Sequence, residues 1–153
     1  MNMLGKMTKT WSVYNFQVSH LFERIGGPAI SSIVSEAIKK GGEKNLRNAA
    51  HFLGSSSGAD IDLCMQIAAK TTDKKILSSL HTSIYSTGVV SGEYGIAEEY
   101  EHRAKLLEKY KDSKNKRLKS FAQKTMEGLN ASARHARQSA DEEKEKRRLR
   151  FEE

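Results

Sequence analysis

Between residues 12 and 25, apolar side chains recur at Tyr14, Val18, Leu21, Phe22 and Ile25. That spacing places them on one face of a helix. Gly26 and Gly27 suit its end, and Pro28 suits the first turn of a second helix. The second helix carries Ile30, Ile33, Val34, Ala37 and Ile38, and stops at Gly41-Gly42. A third runs from about Glu43 to Leu53, with Leu46, Ala49, Ala50 and Leu53 on one side. "GSSSG", Gly54 to Gly58, reads as a loop. Asp60 caps a fourth helix, with Ile61, Cys64, Met65 and Ala68 as its stripe.

Asp73 caps a fifth helix that turns Ile76, Leu77, Leu80 and Ile84 inward. A glycine-containing stretch follows, "STGVVSGEYG", Ser86 to Gly95. A sixth helix carries Ile96, Tyr100, Leu107 and Tyr110, with Arg103 on the same stripe. The last begins near Asn115, where Leu118, Phe121, Ala122, Thr125, Met126 and Leu129 form an apolar face. Beyond Leu129 the stripe thins to Ala133, Ala136 and Ala140. Val and Thr never alternate over a long run, so no strand is expected. The pattern predicts an all-α protein of about seven helices. Its helical domain covers 1–130, and 131–153 is a charged C-terminal helix that projects or frays. Glu142 with Lys146, and Glu143 with Arg147, are expected to pair along that helix.

Three segments echo one another: "EKNLRNAA" from Glu43, "DKKILSSL" from Asp73 and "NKRLKSFA" from Asn115. Their aliphatics Leu46, Ile76 and Leu118 lie 30 and 42 residues apart. Helical-hairpin repeats have periods of roughly 30 to 47 residues. Lys111 to Leu129, "KDSKNKRLKSFAQKTMEGL", resembles the second half of a HEAT-type repeat through Asp112, Leu118, Lys119 and Ala122. Leu46, Arg47 and Ala50 match a shorter version. Ile76 and Leu80 match only its apolar part, because Leu77 stands where the basic residue belongs and Leu80 where the Ala belongs. The resemblance implies a short solenoid of stacked antiparallel helix pairs, used as a binding scaffold. Such a chain can be one segment of a longer array.

The chemistry of the chain argues in the same direction. Gly88, Gly92 and Gly95 lack the G-x-x-x-x-G-K-[ST] spacing of a phosphate loop, and Glu93 sits where a phosphate needs a cation. A helix stop at Gly88 and a helix cap at Ser91 account for the stretch better. His20, His51, His81, His102 and His135 include no i,i+4 pair, and Cys64 has no CxxC partner. No G-x-S-x-G elbow occurs. Glu98, Glu99 and Glu101 point in different directions around a helix. No catalytic, cofactor or metal site and no small-molecule substrate is therefore expected.

A lone cysteine suits a reducing compartment. No run approaches the ~20 apolar residues of a membrane span. A cytoplasmic protein with a protein partner, and no membrane contact, is the expectation.

Charge adds a second reading. The chain has 26 basic and 19 acidic residues. Residues 1–110 hold 13 basic and 11 acidic, whereas 111–153 hold 13 and 8. The surplus in the last third makes nucleic acid the alternative partner. Lys111, Lys114, Arg117, Lys119 and Lys124 are the candidate contacts, read as one rim. Aromatics for stacking bases are few there, only Tyr110 and Phe121.

Overall fold

The computed structural model describes residues 27–54 and 60–151. Among them are six α-helices and no strand. They are α1 (Gly27–Lys40), α2 (Glu43–Gly54), α3 (Ile61–Lys70), α4 (Lys74–Tyr85), α5 (Gly95–Leu107) and α6 (Lys116–Phe151), with a 3-10 turn at Glu108–Tyr110. The helix expected over 12–25 and most of the "GSSSG" loop lie outside the described residues; Gly54 itself ends α2. The chain divides into two compact units, Met1–Ser86 and Thr87–Glu153.

In the first unit, α1 and α4 both pack on α2 and α3. Val34 and Ile38 of α1 meet a core that includes Leu46 and Leu53 of α2 and Ile76, Leu80 and Ile84 of α4, all buried. The helix α3 buries six residues: Leu63 and Ile67 join the expected Ile61, Cys64, Met65 and Ala68. Neighbours on more than one side bury more than a single stripe. Cys64 is fully enclosed, the setting of a packing thiol rather than a reactive one.

Local chemistry sets the helix ends. Gly41 and Gly42 sit at φ 65° and 78°, the left-handed region that favours glycine, and the Gly41 N–H donates to the Ala37 carbonyl at 3.2 Å. Lys70 Nζ donates to the Ile38 carbonyl at 3.0 Å, tying the end of α3 to that of α1. Asp60 Oδ1 accepts from the Leu63 N–H at 3.1 Å, the expected cap of α3. Asp60→Ala is expected to cost about 0.5–2 kcal/mol of stability, and urea unfolding followed by circular dichroism measures it. A loss near zero would mean that the cap contributes nothing. Asp73 caps α4 by accepting from the Lys75 N–H at 2.7 Å, and its other oxygen accepts from Arg47 at 2.7 Å.

In the second unit, α5 packs along α6. The apolar stripe of α5 differs from the sequence expectation. Ile96 is half exposed, while Ala97, Ala104 and Leu107 are buried. Small residues seven apart keep the same face and let the two helices lie close. Ile96, one position off that face, points outward. Arg103 is buried as expected, and its Nε donates to Glu99 Oε1 at 2.7 Å. The α6 face follows the pattern: Phe121, Ala122, Thr125, Leu129 and Ala133 are buried, and Leu118 and Met126 are half-buried. Thr125 is satisfied by donating to the Phe121 carbonyl at 2.7 Å. Asn115 caps α6, accepting from the N–H groups of Arg117 and Leu118 at 3.1 and 3.3 Å.

The loop between α4 and α5 corrects two expectations. The helix α4 ends at Ser86, whose N–H bonds the carbonyls of Thr82 and Ser83, so Gly88 lies beyond the stop. Gly88 does take the left-handed conformation, at φ 68°. Ser91 caps nothing: α5 starts at Gly95 after a turn in which the Gly95 N–H donates to the Gly92 carbonyl. Gly92, at φ 94°, bends the chain into that turn.

The helix α6 is unbroken for 36 residues, about 54 Å at 1.5 Å per residue. Its distal half reaches back to α5 and the loop before it. Arg147 Nη2 meets Glu93 at 2.8 Å and Lys144 meets the same carboxylate at 3.5 Å. Tyr94 donates to Asp141 at 2.6 Å, and Arg137 donates two bonds to Glu101, at 2.9 and 2.7 Å. The Glu142–Lys146 and Glu143–Arg147 pairs expected from the spacing do not form. Lys146 pairs with Glu143 instead, and Glu93 draws the Arg147 guanidinium away.

Candidate functional site

The helix α6 departs from the usual charge arrangement at its start. A helix N-terminus carries partial positive charge and favours acidic neighbours. The first turn of α6 holds no acidic residue, and Lys116, Arg117 and Lys119 stand there instead. Lys116→Glu is expected to add about 0.3–1 kcal/mol of stability, read as a higher urea midpoint; a lower midpoint would contradict it.

That turn belongs to a wider basic region. Residues 105–124 contain eight basic and two acidic side chains. Lys111 and Lys114, in the connection between the 3-10 turn and α6, are exposed. Arg117 and Lys124 are exposed on α6 and, seven residues apart, share a stripe. Lys119 is half-buried and lies about 200° round the helix from Arg117. Of the five candidate residues, Arg117 and Lys124 share a stripe, Lys111 and Lys114 lie exposed in the connection, and Lys119 is on the other side of the helix. Lys105, Lys109 and Lys116 extend the basic region and are exposed too. Lys109 sits 5.3 Å from the centre of the Tyr110 ring. The other seven side chains enter no ion pair with a described residue.

Lys105 and Lys109 belong to this cluster although they precede residue 111, so a charge balance over 111–153 leaves them out. Counting by turn would have found them. It also relocates the surplus: residues 111–124 hold six basic and one acidic, and 125–153 hold seven of each.

The distal part of the second unit has the opposite character, because its charges pair. The two Arg137 bonds hold the Glu101 carboxyl below the usual range, and Glu101 raises Arg137 in turn. The Tyr94 phenol is pushed up, first by its hydrogen bond to Asp141 and then by burial and the charges of Asp141 and Glu93. Arg137 also lies 5.7 Å from the Tyr94 ring centre. In the first unit Asp73 is lowered by Arg47 and by the Lys75 N–H.

The direction of each shift fixes its pH dependence. The lowered carboxyls Glu101 and Asp73 stabilise above the ordinary carboxylate range. That contribution disappears as pH falls through their folded values. Tyr94 stabilises while protonated and loses its contribution as pH rises beyond about 10. Melting of the second unit should therefore soften at both extremes. Glu101→Gln should blunt the acid limb and Tyr94→Phe the alkaline one, as followed by hydrogen exchange of residues 87–151. Unchanged limbs in both variants would contradict the assignment.

The first unit has a separate feature, a groove of about 370 Å³ between α2 and α4. Arg47, Asn48 and His51 line it from α2, and Lys75 and Ser79 from α4. Ala50 and Ile76 form its apolar part. The sequence signal was available: Arg47 and His51, like Lys75 and Ser79, are four residues apart and so share a helix face.

Among the described residues, no three His, Cys, Asp or Glu side chains gather as a metal site. None of the described helices is long and apolar enough to cross a membrane. Comparison of the chain with protein-family models, curated proteins and solved structures finds no match in any of the three.

Proposed function

We propose that the chain is a non-catalytic helical interaction module, a HEAT-like array of stacked antiparallel helix pairs that binds another protein. The groove between α2 and α4 carries this reading. Two neighbouring helices each present one turn of polar side chains above Ala50 and Ile76. That combination suits an acidic amphipathic segment, whose carboxylates meet Lys75 and whose apolar side chains meet the floor. The bonds of the second unit support antiparallel pairing: Glu93, Tyr94 and Glu101 meet Arg147, Asp141 and Arg137, so partner numbers fall as α5 numbers rise. The buried lone cysteine suits a reducing compartment and hence a cytoplasmic location.

The test compares proteins captured from a cell lysate by the full chain and by Lys75→Glu, an exposed position. A protein held by the first and lost by the second supports the reading. Identical sets from both chains contradict it.

A further inference from the structure

We propose that the connection between α5 and α6, with the first turns of α6, is a nucleic-acid contact surface that grips the phosphate backbone of a duplex. It is a second binding surface, in the other unit from the groove, and its test reads no protein partner.

Basic residues occur at both ends of the α5–α6 pair. Distally most are paired and only Arg134 and Arg150 enter no ion pair with a described residue, whereas at the connection such residues cluster. Distally, Arg137 is committed to Glu101, and Lys144 and Arg147 to Glu93. Lys146 and Arg148 pair with Glu143 and Glu145. At the connection, Lys111, Lys114, Lys116, Arg117 and Lys124 are exposed and enter no ion pair with a described residue. A surplus held together without acidic partners repels itself. A polyanion relieves that repulsion and gains entropy by releasing its counterions.

The chemistry of the patch selects the kind of polyanion. Single-strand binding needs a row of aromatic platforms. Here Tyr110 is half-buried beside the Lys109 amine and Phe121 is buried. Base stacking therefore has little to work with, and the contact is with phosphates. Shape favours a duplex over a flat anionic membrane. The charges run from the connection onto a narrow stripe of α6, Arg117 to Lys124, about 10 Å along the axis. Leu106 is the only large apolar side chain of 105–124 that is exposed, so little is available to insert into lipid. Contacts to phosphates alone give binding without sequence preference.

The test is fluorescence anisotropy of a labelled 20-base-pair duplex, at several salt concentrations from about 50 mM upward. Three chains are compared: the full chain, Lys111→Glu/Lys114→Glu at the connection, and Lys146→Glu/Arg148→Glu in the distal helix. The last two change net charge equally. Lys111→Gln/Lys114→Gln serves as a milder pair, and circular dichroism verifies that each variant is folded. The full chain is expected to bind, with affinity falling steeply as salt rises. The connection variants should lose about tenfold or more at low salt, and the neutral pair should reduce the salt slope by about two. The distal variant should stay within about threefold. Equal losses in the connection and distal variants would overturn the proposal. So would the absence of duplex binding at low salt. Equal or tighter binding of anionic phosphatidylserine vesicles, or of polyglutamate, would reassign the surface to a membrane or to an acidic protein.

Discussion

Leu129→Ala should lower the stability of the second unit by about 2–5 kcal/mol. Leu129 is fully buried, on the face of α6 that also buries Thr125 and Ala133. Truncation removes three carbons from that interior and leaves a cavity. The alanines that line this helix contact have no side-chain length with which to fill it. Hydrogen exchange is the appropriate measurement because it reads each unit separately. Amides of α5 and α6 should exchange faster by about one and a half to three and a half orders of magnitude, on the basis of about 1.4 kcal/mol per tenfold. Leu149→Ala, at a half-exposed position of the same helix, should change exchange within about 0.5 kcal/mol. Equal effects from the two substitutions would place the core elsewhere.

The second large effect concerns Arg103, whose side chain is 6% exposed and pairs with Glu99 at 29%. A buried guanidinium is tolerated only with partners that replace its hydration. Glu99→Ala removes one of them and leaves the cation in place. The expected cost is on the order of 2 kcal/mol, reduced from a fully buried pair because Glu99 still touches water. Glu99→Leu/Arg103→Met replaces both charges with apolar groups and should cost less than Glu99→Ala alone. Urea unfolding of the three chains checks the order. A double variant less stable than the single would mean that the pair itself contributes more than its desolvation costs.

The comparison of sequence with structure follows how local each signal is. Caps and stops were legible, because Asp60, Asp73, Asn115 and the Gly41-Gly42 pair act on backbone groups within a few residues. The inward faces of α2 and α6 were legible through their periodicity. The face of α5 was not, since hydrophobicity alone ranks Ile96 above Ala97. Close helix approach reverses that order. Leu63 and Ile67 were missed because a stripe assumes one buried side, whereas α3 has neighbours on several. Ser91 illustrates the limit of cap propensity: a suitable residue does not cap when the turn at Gly92 delays the helix to Gly95.

The candidate sites divide in the same way. Lys111, Lys114, Arg117, Lys119 and Lys124 could be picked out by charge alone. Which other basic residues remain free could not, because Glu93 finds Arg147 across 54 positions and Glu101 finds Arg137 across 36. Those long-range pairs neutralise the distal helix and leave the connection exposed. The groove between α2 and α4 likewise needs two helices brought together, although each contributes a spacing visible in the chain.

The central claim is that Lys111, Lys114, Lys116, Arg117 and Lys124, at the α5–α6 connection, are exposed and free of ion pairs with described residues, whereas the basic side chains of 137–148 are paired. Backbone amide shifts of the full chain, followed by heteronuclear NMR during titration with a short duplex, test it most directly. The account predicts perturbations concentrated in residues 105–124, with 137–148 nearly unmoved. Perturbations centred on 137–148, or none at all, would contradict it.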